Sequence, residues 1–181
     1  MVAETGLRDA LIAAALRILE TSEEEPSLRA VARAAGVSAM APYNHFSDKV
    51  DLLACVANQG FEALKEALLA ADDRPEPHEA LVAQGVAFVD FAKANPALFR
   101  LMYSHHYGNA DGEAVRATYG ILADRVTGML PAQASAATLA CRSLVQGMAT
   151  IVLNGRLAPS TPEDITMAVR LLVQGLRASV D

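Results

Sequence analysis

A chain of 181 residues, 52% hydrophobic, 5% aromatic and carrying a net charge of −6, can bury one or two modest cores, and its alanine and leucine richness favours helix over strand. The negative balance excludes a general polyanion binder, because phosphate must be met by local positive charge. The N-terminus lacks a signal-peptide pattern, no run of about 18 uninterrupted apolar residues offers a membrane span, and Cys55 and Cys141 lack the CxxC spacing of a zinc or redox site. A cytoplasmic protein without cofactor or metal is the expectation.

Leu7, Leu11, Ala14 and Ile18 repeat at helical spacing and predict a first helix over 5–20, with Arg8 and Arg17 on its opposite side. After "TSEEEP", Ser27 is suited to cap a second helix whose inner face is Leu28, Val31, Ala32 and Ala35 and whose outer face carries Arg29 and Arg33. Gly36 is placed to end it in the left-handed conformation. Ser38 can cap a third helix, with Pro42 in or just past its first turn. Ser47 then caps a fourth helix running to about residue 71. "ADDRPEPHE", residues 71–79, breaks the periodicity with two prolines and a charge cluster, and is the best boundary.

Five further helical segments follow: 79–94, one opened by Asn95 and Pro96, 113–130, 133–154, and 162–179 behind a Thr161 cap. The fold class is therefore all-α, with about nine helices. Residues 1–47 form a head, 47–71 a linking helix and 72–181 a larger body.

Two short helices joined by a glycine turn form the layout of a helix-turn-helix. Residues 1–26 carry a charge of −4, whereas 27–49 carry +2, making "AAGVSAMAPYNHFSDK" part of the chain's clearly basic window. Small or flexible residues early in the third helix (Ser38, Ala39, Met40, Ala41) let a backbone approach base edges. Tyr43, His45 and Lys49 bring hydroxyl, imidazole and ammonium groups suited to phosphate. Phe46, lacking a polar atom, should face inward. A helix–glycine–helix unit with no DNA role is the structural alternative.

"LRAVARAAGVSAMAPYNHFSDKVDLL", residues 28–53, resembles the DNA-binding domain of tetracycline-repressor (TetR) family regulators at Ala32, Ala35-Gly36-Val37-Ser38, Tyr43, His45-Phe46 and Lys49. The resemblance implies a three-helix DNA-binding head, a linking fourth helix, and a ligand-binding, dimerising body. It also implies phosphate contacts by Tyr43, His45 and Lys49; Ser27 and Ser38, at the starts of the second and third helices, are assigned to the same DNA-binding set. Ala39, Met40, Ala41 and Asn44 take base-facing positions and Arg29 reaches a base or phosphate. Asn44 suits adenine, Arg29 guanine, and Ala or Met a thymine methyl. "NPALFRLM" in the body is similar to a TetR subgroup whose penultimate helix carries tryptophan and histidine; Arg142 and Gln146 stand in their places.

The last two helices are apolar on more than one face, and Leu139, Leu144, Met148, Ile151, Ile165, Val169, Leu172 and Leu176 are assigned to a twofold dimer interface. Such a dimer places two recognition helices about 34–36 Å apart, which implies a palindromic operator. Phe88, Phe91, Phe99, Met102, Tyr103, His106, Tyr119, Gln146 and Met148 are assigned to an apolar pocket for a small effector, with simple core packing as the bland alternative.

No Gly-rich phosphate loop, GxSxG or ExxH pair supports an enzyme. The function expected is a homodimeric DNA-binding repressor released from its operator by a small lipophilic ligand. The alternative is a helical protein-interaction module with a vestigial DNA-binding head. Redox sensing through Cys55 is a more distant one.

Overall fold

The computed structural model describes residues 2–22, 25–104, 112–155 and 161–178. Among the described residues, eight α-helices and two 3₁₀ turns account for the regular structure, in the order α1 (Val2–Thr21), α2 (Leu28–Ala34), a 3₁₀ turn (Ala41–Asn44), α3 (Lys49–Ala71), α4 (Pro77–Ala94), α5 (Pro96–Met102), α6 (Glu113–Met129), a 3₁₀ turn (Pro131–Gln133), α7 (Ala134–Leu153) and α8 (Pro162–Ala178). The chain divides into two compact units, residues 1–61 with 95–114 and residues 62–94 with 115–181. That division differs from a cut at residue 72: the boundary falls inside α3, and the α5 segment returns to the first unit.

Local chemistry explains the first unit's frame. Ser27 lies in extended backbone and its hydroxyl accepts from the Ala30 N–H at 3.2 Å, so it caps α2 as its residue type predicts. α2 ends in a Schellman motif: Gly36 at φ +72° donates to the Arg33 carbonyl and Val37 donates to that of Ala32. Glycine is needed there because a Cβ at that φ is strained.

Two expectations shift. α3 is capped by Asp48 rather than Ser47: the Asp51 N–H donates to Asp48 Oδ1 at 2.9 Å, and Asp51 Oδ2 in turn accepts from the Ser47 N–H at 2.9 Å. A carboxylate is the stronger acceptor for the positive end of a helix. The third helix is not capped by Ser38 either. Pro42 has no N–H for the Ser38 carbonyl, which accepts from Ala41 instead, and the segment tightens into a four-residue 3₁₀ turn.

The first core gathers Leu11, Ile12 and Leu19 of α1, Val31 of α2, Phe46, Leu52 and Phe61 near or in α3, and Leu98 and Met102 of α5. α5 lies against α1. A Cβ added at Gly60 would come within 2.6 Å of Met102 Sδ, so a hydrogen at this position is what lets α3 approach α5 closely. Arg8 corrects the sequence reading. It turns inward, with its guanidinium 5.4 Å from the Phe46 ring centre and Nη2 donating to Cys55 Sγ at 2.9 Å. Its long stem can cross apolar surface while its planar head stacks on an aromatic face.

In the second unit α4 is the central helix, buried on most sides and packed against both α7 and α8. Gly85 permits this, since a Cβ there would lie 2.7 Å from Val169 Cγ1. Arg170 of α8 also grips the Glu79 carboxylate of α4 with both its terminal nitrogens. α8 opens with a capping box in which the Thr161 hydroxyl accepts from the Asp164 N–H at 3.1 Å and donates to Asp164 Oδ2 at 3.0 Å.

Candidate nucleic-acid interface and effector cavity

The first unit presents most of its predicted DNA-facing side chains to solvent. Ser27, Arg29, Ser38, Ala39, Met40, Tyr43 and Asn44 are exposed, and Ala41, His45 and Lys49 are half-buried. Ser27, Arg29, Tyr43 and Lys49 come together around one open cleft of about 380 Å³, between the start of α2, the end of the 3₁₀ turn and the start of α3. Hydroxyl, guanidinium, phenol and ammonium around a shallow cleft can grip a phosphodiester backbone. Met40 stands 68% exposed at the turn.

Phe46, 2% exposed, anchors this surface from behind. His45 sits beside it with ring centres 6.4 Å apart, so only part of its imidazole is open to a ligand. Lys49 already has a counter-charge in the DNA-free state, Glu25 Oε2 at 2.6 Å. A half-exposed pair of this kind is worth about 0–1 kcal/mol, little enough for a phosphate to displace the carboxylate.

The second unit holds a partly open cavity of about 50 Å³ between α4, α6, α7 and α8, with the end of α3 on one side. That is room for about one or two water molecules. Apolar side chains such as Leu81, Phe88, Leu122, Val145 and Leu172 form most of its wall, and Gln84, Thr118, Tyr119, Arg142 and Gln146 contribute the polar positions. Gln84 is 4% exposed; its Nε2 donates to Asp72 Oδ1 at 2.7 Å, while its Oε1 has no hydrogen-bond partner among the described residues. Asp72 also pairs with Arg125. Arg142 stacks on Tyr119, guanidinium carbon to ring centre 3.7 Å. Burial in this apolar setting raises the Cys141 thiol to about 11.

The structure sorts the residues assigned to the pocket. Phe88, Tyr119 and Gln146 line the cavity. Phe99, Met102 and Tyr103 do not. They belong to the first unit, where Tyr103 packs against Phe99 at 4.5 Å and Phe61 at 5.7 Å between ring centres. Phe91 and Met148 are half-buried in the second unit outside the cavity wall, and His106 lies outside the described residues. Gln84 and Arg142 went unassigned. For Gln84 the available signal was a lone amide within the apolar run "LVAQGVAFV".

The proposed dimer face is corrected in the same way. Ile165 and Val169 are each 3% exposed, turned into the protomer's own core by packing of α8 on α4. Leu144 and Leu172 are half-buried and line the cavity, and Leu176 is half-buried. Leu139 at 66% and Ile151 at 39% remain open on α7, joined by Met167 at 54% and Leu171 at 61% on α8. Pro131–Leu153 is long and apolar enough to cross a membrane by length and composition alone, yet it carries Arg142 mid-helix and packs on α4 and α8.

The arrangement of caps, glycine turn and exposed 3₁₀ residues defines the first unit as a helix-turn-helix of the transcription-regulator type. The sequence pattern of the tetracyclin repressor-like, C-terminal domain matches residues 81–176, and the chain belongs to the TetR family. It is similar to a protein of unknown function from Rhodococcus sp. RHA1, with 31% identity over 93% of this chain and 94% of that one and a TM-score of 0.81. A TetR transcriptional regulator from Streptomyces coelicolor matches over 94% and 97% of the two chains at 19% identity and a TM-score of 0.75. The TetR family regulator PfmR from Thermus thermophilus matches over 92% of each at 20% identity and 0.62. A comparison with curated protein sequences finds no match.

Proposed function

We propose that this TetR-family transcriptional regulator is a homodimeric, cytoplasmic, non-enzymatic repressor that binds a palindromic operator and leaves it when a small lipophilic molecule occupies the body. The observation that carries the reading is the cleft where Ser27, Arg29, Tyr43 and Lys49 meet, next to exposed Met40 and Asn44. Lysine and tyrosine position the head on phosphates, while Asn44 and Arg29 read bases. The open side chains Leu139, Ile151, Met167 and Leu171 support a twofold four-helix contact, and Gly147 and Gly175, with no atom within 4 Å of an added Cβ, leave room for a second copy.

Release follows from differential affinity: a ligand that prefers one body shape draws the population toward it. A 50 Å³ cavity is too small for a drug-sized molecule, so any effector must displace its walls. One route leads through Gln84, which lines the cavity and holds Asp72, the residue just past the end of α3, while Lys49 stands at that helix's start. The test is operator scanning base by base with Arg29→Ala and Asn44→Ala. A relaxed preference at particular positions supports the reading, and an unchanged preference in both variants removes it.

A further inference from the structure

Two features of the second unit's cavity restrict what can fill it. Among the described residues, Arg142 is the one charged side chain in the wall, and no carboxylate pairs with it. Its guanidinium face is occupied by the Tyr119 ring, which leaves the in-plane N–H donors available to a planar anion. Asp72, the acid held by the wall residue Gln84, is neutralised by Arg125 and engaged by that amide, so it offers nothing to a cation.

Gln84 supplies the second restriction. Asp72 fixes its Nε2 as the donor end, so Oε1 must be an acceptor, and this oxygen is buried without a partner. A buried acceptor left unmatched is costly, and a ligand O–H or N–H reaching it removes that cost.

We propose that the effector is a lipophilic carboxylic acid, bound as its anion with the carboxylate on Arg142, its apolar body among Leu81, Phe88, Val145 and Leu172, and a hydroxyl or amide N–H donating to Gln84 Oε1. The proposal rests on the reading of this cavity as the effector site. A lipophilic cation finds no counter-charge in this wall, and a neutral molecule leaves the guanidinium unmatched.

The test is calorimetric titration of the full-length protein at neutral pH with octanoate, octanol and octylamine as probes, repeated on Arg142→Gln and Arg142→Lys. Octanoate should bind at least about tenfold more tightly than either of the others. Arg142→Gln should bring it down to the level of octanol, and Arg142→Lys should keep part of the advantage. Hydroxylated octanoates should gain further, and that gain should vanish in Gln84→Met. Equal or tighter binding of octanol or octylamine overturns the proposal, as does unchanged octanoate affinity in Arg142→Gln or a failure of every probe to bind. Each result is separable from the regulator reading, because operator binding is measured without any probe. An acid that binds the protein but leaves the DNA complex intact would instead remove the effector role and keep the site.

Discussion

The head and the body of this protein keep their working residues in opposite ways. In the head, the groups proposed to face DNA sit within 23 consecutive residues, Ser27 to Lys49, on turns and helix starts backed by one buried ring, Phe46. In the body, the cavity draws its wall from five helices spread over Leu68 to Val173. A surface that reads a partner can be written in a short local motif. An interior cavity is a product of long-range packing, and wall residues such as Gln84 and Arg142 stand out only once the helices are assembled.

The largest expected effect tests the local character of the head. Phe46→Ala should cost about 3–5 kcal/mol in denaturant unfolding, because it empties the contact beneath the recognition turn, and operator binding should disappear with it. A loss of only a few tenths would mean that the turn holds itself. Gly85→Val probes the body in the same terms: the added methyls meet Val169, and overpacking of about 1–3 kcal/mol should appear in thermal unfolding while the DNA-facing side chains are untouched. Asn44→Ala should do the reverse. Its stability should stay within about 0.5 kcal/mol of the parent, while the adenine preference weakens by about 1–3 kcal/mol in anisotropy titrations.

Smaller effects sharpen the contrast. Glu25→Gln takes the carboxylate away from Lys49 and removes an acid from the DNA-facing side, so affinity for DNA should rise by less than about 1 kcal/mol, with the gain shrinking at high salt. In the body, the Cys141 thiol is raised from 9.0 to about 11 by burial. A raised folded value contributes stability that is complete below the unfolded one and is lost as pH climbs, so unfolding midpoints should fall between about pH 9 and pH 11. Cys141→Ala should flatten that slope.

These differences explain what the amino-acid sequence disclosed. Ser27, Gly36 and Thr161 were legible because caps and turns follow from side chains within a few positions of the backbone groups they satisfy. Ser47 and Asp48 stand side by side as rival caps, and their order depended on which side chain could close on the Asp51 N–H. Pro42 was visible, but its consequence, a 3₁₀ turn in place of an α-helix, required the Ser38 carbonyl's actual partner.

Helical periodicity identified Phe99, Met102 and Tyr103 as inward-facing without saying inward to which core, and they joined the head's. Ile165 and Val169 fall in the assigned dimer face because their helix is apolar on more than one side; only the packing of α8 on α4 separates its core face from the Met167 and Leu171 face. Arg142 and Gln84 become informative through burial and pairing, which no spacing encodes.

The central claim, that the head reads DNA as half of a twofold pair, is tested most directly by selecting bound fragments from random-sequence DNA and titrating the enriched sequence by fluorescence anisotropy at two salt concentrations, with Tyr43→Ala as control. The predicted result is an inverted repeat with half-sites about one helical turn or a multiple of it apart, bound with a steep salt dependence that the control loses. Enrichment of no motif, or binding that ignores both salt and Tyr43, would contradict it.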